Sequence, residues 1–171
     1  MAGTVKQVLE TDRLTLRWLT ADDSAFILEL LNDPGWLQFI GDKGVHTLEE
    51  ARGYLLKGPI DMYGRLGFGL YLTELKESGV PIGICGLIKR DGLEDVDVGF
   101  AFLPQFRTKG YAYESASAIV VYGKDVLKLE RIVAVTSPEN HHAARLLEKL
   151  GLRFERMVTL GNGGAEMKLF G

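Results

Sequence analysis

A strand, a short basic loop and a helix follow one another in the middle of this chain. Val96 to Leu103 has the composition of a β-strand and is closed by Pro104. Beyond the loop the apolar period becomes helical, because one helix face carries Ala112, Ala116, Ile119, Val120, Gly123 and Leu127. This order requires a fold in which a helix packs against a sheet.

The loop between these two elements has the properties of an anion-binding site. The N-terminus of a helix exposes unpaired backbone N–H groups and carries roughly half a positive charge. Gly110 lets the backbone approach a phosphate closely, and Arg107 and Lys109 add positive charge. The alternative is an ordinary solvated turn, and the loop alone does not separate the two interpretations.

The rest of the chain alternates between strand-like and helix-like segments. Helix starts are predicted at Thr20, which acidic residues follow, and at Thr47, which begins a capping-box pattern. A third short helix ends at Gly151. Strands are predicted at residues 14–18, 68–75, 82–88, 132–135, 153–160 and 165–170. The order indicates a mixed α/β fold with a central sheet.

One stretch after the first helix stop has two interpretations. Asn32 to Gly35 ends that helix, and Trp36, Leu37, Phe39 and Ile40 follow. These aromatic and apolar residues pack between helices in the simpler interpretation. In the other interpretation they border a pocket whose ligand has an apolar part.

Composition excludes several classes of protein. The length of 171 residues suits one domain over residues 1–171, since a domain has about 150 residues. The net charge is −3, from 20 Lys and Arg against 23 Asp and Glu, and no long basic run indicates a nucleic-acid partner. One cysteine, Cys85, allows neither an internal disulfide nor a multi-cysteine zinc site and favours the cytoplasm. No signal-peptide region or membrane-spanning apolar run is present.

Several motifs together resemble one enzyme superfamily. Arg107 to Ala112, with the pattern R-x-x-G-x-A, resembles the pyrophosphate loop of the GNAT N-acetyltransferases. Asn140 to Gly151 resembles their second signature, an asparagine followed by a helix that ends in Leu-Gly. Three more segments resemble the branch that acetylates the amino termini of ribosomal proteins, namely Thr11 to Arg17, Asn32 to Pro34 and Thr47 to Ala51.

The resemblance implies a fold and a cofactor site. The fold would be a single α/β domain whose central sheet is mixed and mostly antiparallel, with helices on both faces. The strand that ends near Leu103 would separate from the strand over residues 131–135, and acetyl-CoA would lie in that cleft. Its pyrophosphate would meet the backbone N–H groups of Thr108, Lys109, Gly110, Tyr111 and Ala112, and Arg107 precedes them.

Two further contacts with acetyl-CoA are implied. The pantetheine would pair with the backbone near Phe102 and Leu103, and Asn140 would lie beside the cofactor. Asn140 can also be a simple N-cap of the helix that follows it, and both roles are compatible.

The implied activity is transfer of an acetyl group from acetyl-CoA to a primary amine, by direct attack in a ternary complex. The acceptor would be a peptide N-terminus or a small-molecule amine, and no metal, membrane or nucleic acid takes part. The protein would be a monomer or a homodimer. The alternative is a non-catalytic domain that binds acyl-CoA as a sensor or interaction module.

Because the sequence departs from the family pattern, the resemblance does not identify the residues that act as general acid and general base. Leu147 stands where many members have a tyrosine that acts as general acid, and Ala143 stands where the ribosomal branch often has serine. Asp97, on the strand that enters the cleft, is the candidate general base. Its alternative role is that of an exposed strand carboxylate. Catalysis mainly by positioning would need neither group.

Overall fold

A computed structural model of the chain describes residues 6–160 and 164–171. It contains strands β1 (Gln7–Glu10), β2 (Leu14–Trp18), β3 (Leu70–Leu75), β4 (Pro81–Ile88), β5 (Val96–Phe102), β6 (Ile132–Thr136), β7 (Phe154–Thr159) and β8 (Glu166–Phe170). Its helices are α1 (Ser24–Leu31), α2 (Pro34–Phe39), α3 (Leu48–Lys57), α4 (Pro59–Leu66), α5 (Tyr111–Asp125) and α6 (His141–Lys149).

The described strands form one sheet in the order β1-β2-β3-β4-β5-β6-β8-β7. Neighbouring strands are antiparallel except β5 and β6, which run parallel. This is the mixed, mostly antiparallel sheet that the family resemblance implies, and that prediction is confirmed. Parallel strands need a crossover connection, and α5 provides it between β5 and β6.

The two parallel strands separate soon after they meet. Val96 pairs with Ile132 and Asp97 pairs with Val133, and no further pairs join the described parts of these strands. β5 then continues to Phe102. Because the strands diverge, a gap opens in the middle of the sheet at the point where the chain turns into α5.

Apolar side chains cover both faces of the sheet. One core cluster joins sheet residues such as Cys85 and Val98 to α5 through Ala116 and Ile119. The second cluster joins the opposite face to the helices near the N-terminus, and it includes Ile27, Trp36, Leu55, Leu72 and Ile84. The predicted placement of helices on both faces is therefore confirmed.

The segment from Asn32 to Gly35 does more than end α1. Asp33 caps a new short helix, α2, because its side chain accepts hydrogen bonds from the N–H groups of Gly35 and Trp36. Pro34 occupies the first helical position, where its missing N–H costs nothing. The residue pattern predicts only a helix stop here, and it predicts neither β1 nor α4.

No helix in the described ranges is long and apolar enough to cross a membrane. Over the same residues, no group of three or more His, Cys, Asp and Glu side chains is placed to hold a metal ion.

We predict that Gly86→Ala destabilises the sheet. A Cβ at residue 86 would lie 2.2 Å from the carbonyl oxygen of Gly69 and 2.8 Å from the Cα of Leu70, and these backbone atoms cannot move aside easily. The expected loss in the free energy of unfolding is about 1–3 kcal/mol. Gly53→Ala in α3 is the matched control, because its Cβ would contact nothing within 4 Å.

Urea unfolding of both variants measures the difference. Gly53→Ala should gain stability by roughly 0.5–1 kcal/mol through its better helix propensity. Equal stability of the two variants would contradict the close approach of the β3 and β4 backbones at Gly86.

Candidate functional site

A cleft of about 640 Å³ opens where β5 and β6 separate. Side chains from β5, the loop after it, and helices α2, α5 and α6 line its walls. The wall formed by α2 and β5 is largely apolar and includes Trp36, Phe39, Ile40, Phe100 and Ala101.

The N-terminus of α5 forms part of the cleft lining. Gly110 precedes the helix with φ = 84°, a left-handed conformation that glycine adopts without strain. The backbone N–H groups of residues 108–113 have no hydrogen-bond partner among the described residues. Unpaired N–H groups at a helix start form a binding site for an anion such as a phosphate.

Thr108 is the strained residue of this loop. Its φ is 62°, and β-branched residues rarely adopt a left-handed conformation. The Thr108 hydroxyl donates a hydrogen bond of 2.6 Å to the carbonyl oxygen of Arg107. The fold therefore holds this loop in a conformation that the side chain of Thr108 disfavours.

Helix α6 supplies the wall opposite the loop. Asn140 caps this helix through a 3.1 Å hydrogen bond that its Oδ1 accepts from the N–H of Ala143. His142, Arg145 and Lys149 also line the cleft. The Lys149 ammonium lies 4.2 Å from the ring centre of Tyr113, so a cation from α6 reaches the start of α5.

The charged side chains in the described lining of the cleft are all cations. Arg107, Arg145 and Lys149 line it, whereas none of its lining residues within the described ranges is an aspartate or glutamate. Arg107 is paired with the Asp33 carboxylate at 2.5 Å, so Arg145 and Lys149, together with the unpaired N–H groups, are the groups that suit a ligand with several negative charges.

The segment before β2 makes hydrogen bonds to the loop before α5 and to the first turn of that helix. The Nε of Arg13 donates to Oε1 of Glu114 at 2.7 Å, and the hydroxyl of Thr11 donates to its Oε2 at 2.5 Å. Arg13 also donates from Nη1 to the carbonyl oxygen of Lys109 and stacks on the ring of Tyr111. Partial burial raises the pKa of Glu114, but the hydrogen bonds from Thr11 and Arg13 hold it below its ordinary value.

Most of the predicted cofactor residues meet at the cleft, namely Phe102, Arg107, Thr108, Gly110, Tyr111, Ala112 and Asn140. Leu103 does not reach the cleft. It is buried, and its N–H donates to the carbonyl oxygen of Ile82 in the β4–β5 ladder. Lys109 has an exposed side chain that is outside the cleft lining.

The ladder register shows which backbone groups of β5 face the gap. Hydrogen-bonded pairs alternate along an antiparallel ladder, and Leu103 bonds to Ile82. Phe100 and Phe102 therefore direct their N–H and carbonyl groups away from β4, towards the gap. The Phe102 carbonyl accepts a 3.0 Å hydrogen bond from Nε of Arg107.

Asp97 lies at the point where β5 and β6 separate, but its carboxylate is not part of the cleft lining. The side chain is 1% exposed and accepts a 2.7 Å hydrogen bond from Nε of Arg90. Its Oδ1 has no partner among the described residues. The structure does not bring Asp97 to the loop, and its role as general base stays a prediction.

Two positions that depart from the family pattern have different surroundings. Leu147 is buried in the core cluster beneath α6 and does not line the cleft. Ala143 lines the cleft and offers only its methyl group. No side chain at either position can therefore donate a proton to a leaving thiolate.

Comparison with known proteins gives one consistent family. The family described as Acetyltransferase (GNAT) domain matches residues 13–153. The "uncharacterized N-acetyltransferase YnaD" of Bacillus subtilis (strain 168) is 30% identical over 158 residues, which are 90% of this chain and 89% of YnaD.

Two solved structures are similar over nearly their whole length. The structure of an acetyltransferase (GNAT family) from Bacillus anthracis is 28% identical, with a TM-score of 0.77 and 95% of both chains covered. The structure of RimL, a ribosomal alpha-N-protein acetyltransferase, in complex with coenzyme A has a TM-score of 0.80 at 16% identity and 96% coverage of both chains. The second likeness is one of fold.

We predict that Asp97 makes stability depend on pH. Burial raises the pKa of its carboxyl above the ordinary value of 3.8, and Arg90 opposes this effect only in part. The folded chain therefore holds this proton to a higher pH than the unfolded chain. The free energy of unfolding should fall as the pH rises from 3.8 through the pKa of Asp97 in the folded chain, and it should then stay at the lower level.

Asp97→Asn removes this titration, so the fall should be smaller in the variant. Urea unfolding between pH 3.8 and neutrality measures it, with the exposed Asp91→Asn as control. The same pH dependence in both variants would contradict the burial of an ionisable group at residue 97.

Proposed function

The chain belongs to the GNAT acetyltransferase family, and on that premise we propose that it transfers the acetyl group of acetyl-CoA to a primary amine. One observation carries this proposal. The unpaired N–H groups of residues 108–113 lie at the gap between β5 and β6, beside cations, and no carboxylate lines the cleft among the residues that the structure describes.

The phosphates of acetyl-CoA would bind at the start of α5. The N–H groups of residues 108–113 would donate to the pyrophosphate, as helix N-termini do for anions. Arg145 and Lys149 would face the remaining phosphate charge from α6. The pantetheine would then follow β5 into the gap, where Phe100 and Phe102 present backbone groups.

Catalysis would rest mainly on positioning. The acceptor attacks as the neutral amine, and a C–N bond to the acetyl carbon forms while the C–S bond of the thioester breaks. The proton that the nitrogen loses passes to the solvent. The backbone N–H groups of β5 that face the gap can donate to the carbonyl oxygen as it gains negative charge. The leaving thiolate is a weak base and can take its proton from solvent, which suits a site with leucine at residue 147.

The cleft wall limits the kind of amine that fits. The acceptor would lie against Trp36, Phe39 and Ile40, which offer apolar surface and no charge. A strongly cationic acceptor such as a polyamine would find no carboxylate to pair with in the described part of the cleft lining. We therefore propose the amino terminus of a peptide with an apolar first side chain.

The chain would act as one catalytic domain, because all strands of the described ranges join a single sheet. Its location in the cytoplasm and its state as monomer or homodimer stay predictions.

We predict that Gly110→Glu weakens the binding of acetyl-CoA. A carboxylate at residue 110 would lie beside the proposed pyrophosphate site and repel it by about 1–4 kcal/mol. The affinity measured by calorimetry should fall by about fivefold to nearly a thousandfold. Gly44→Glu is the matched control, because Gly44 also has a left-handed φ (73°) but lies in an exposed loop outside the cleft.

The control should bind acetyl-CoA as the unchanged protein does. Unchanged affinity in a folded Gly110→Glu variant would place the pyrophosphate elsewhere. Absence of acetyl-CoA binding by the unchanged protein would contradict the proposed function as a whole.

We predict that peptides with a free amino terminus and an apolar first side chain release thiol from acetyl-CoA faster than polyamines do. Release is followed with a thiol-reactive dye at neutral pH. The control is the same peptide with an acetylated amino terminus, which has no amine to attack. Equal release with blocked and free peptides would exclude this acceptor class, and binding without any release would favour the sensor alternative.

A further inference from the structure

Arg107 is the first residue of the phosphate loop, yet its guanidinium joins two parts of the fold. Its Nε donates to the Phe102 carbonyl oxygen at 3.0 Å, and its Nη2 donates to Oδ2 of Asp33 at 2.5 Å. One side of this group therefore holds the end of β5, and the other side holds the start of α2. The side chain is 41% exposed and also lines the cleft, so these two contacts tie a cleft residue to both elements.

The Asp33 carboxylate contacts both Arg107 and the first turn of α2. Its side chain is 5% exposed, and the same Oδ2 accepts from the N–H groups of Gly35 and Trp36. The oxygen that caps α2 is thus the oxygen that binds Arg107. A shift of the guanidinium would act directly on the first turn of α2.

Gly35 makes room for this arrangement. A Cβ at residue 35 would lie 2.9 Å from Nη1 and 3.0 Å from Nη2 of Arg107. The guanidinium therefore packs against bare backbone at the start of α2. Any larger residue would push the two apart.

Helix α2 in turn carries part of the apolar cleft wall. Trp36 is buried and donates from its indole N–H to the carbonyl oxygen of Gly41, while Phe39 and Ile40 line the cleft. The ion pair consequently links the phosphate loop to the wall against which the acceptor is proposed to lie.

We propose that Asp33 and Arg107 are positioning residues that couple the two halves of the site. Binding of the phosphates by residues 108–113 restricts the motion of the loop. The ion pair between Arg107 and Asp33 then restricts the first turn of α2, which fixes the wall for the acceptor. The inference rests on the proposed function, since it needs acetyl-CoA in the cleft and the acceptor against α2. In this inference the Arg107 side chain positions α2, whereas the motif alone would make it a phosphate ligand.

Hydrogen exchange of α2 measures this coupling without any acceptor. Coenzyme A is the probe, and the amides of residues 35–40 are followed in the full-length protein with and without it. Coupling of the usual size should slow their exchange by about fivefold or more when coenzyme A is bound. Calorimetry on the same samples reports whether coenzyme A binds.

Three variants break the link in different ways. Arg107→Gln removes the cation, and Gly35→Ala displaces the guanidinium. Asp33→Ser keeps an N-cap oxygen for α2 but removes the carboxylate that binds Arg107. All three should bind coenzyme A and lose the slower exchange of α2. Arg65→Gln is the control, because it breaks an exposed Arg–Asp pair on α4 and should keep the effect.

Two results would overturn the inference. If coenzyme A binds the unchanged protein but leaves the exchange of α2 unaffected, the coupling is absent while the proposed function stands. If Arg107→Gln weakens coenzyme A strongly and Asp33→Ser does not, Arg107 is a phosphate ligand. Failure of the unchanged protein to bind coenzyme A removes the proposed function and this inference with it.

Discussion

The early separation of β5 from β6 is the constraint on which the rest of the structure depends. Only Val96 and Asp97 pair with β6, so the backbone of β5 beyond them faces an open gap. The chain turns at that gap into α5, whose first N–H groups have no partner in the described ranges. One break in the ladder thus creates both an anion site and a channel that leads from it into the sheet.

Tertiary ion pairs hold the loop at that break from two sides. Arg13 and Glu114 support it from the segment before β2, and Arg107 ties it to Asp33 at the start of α2. The loop also contains Thr108 in a left-handed conformation, which costs energy that its surroundings must offset. These contacts restrict the loop before an anion binds, and bound phosphates would restrict it further.

Sequence reasoning succeeded where short spacings determine the local structure. The strand–loop–helix unit and the N-cap at Asn140 follow from residues a few positions apart, and the motifs identified the family. It could not find the partners of Arg13 and Arg107, because these contacts join residues 101 and 74 positions apart. The burial of the Asp97 side chain could not be predicted for a similar reason, because it depends on Arg90 and on the packing around β5.

Backbone amide shifts of the labelled protein, followed by NMR during a titration with coenzyme A, test the central claim most directly. The account predicts that the largest shifts fall on the N–H groups of residues 108–113, because these groups acquire hydrogen bonds to phosphate oxygens. Shifts confined to other surfaces, with residues 108–113 unchanged in the bound protein, would contradict the claim that the start of α5 is the phosphate site.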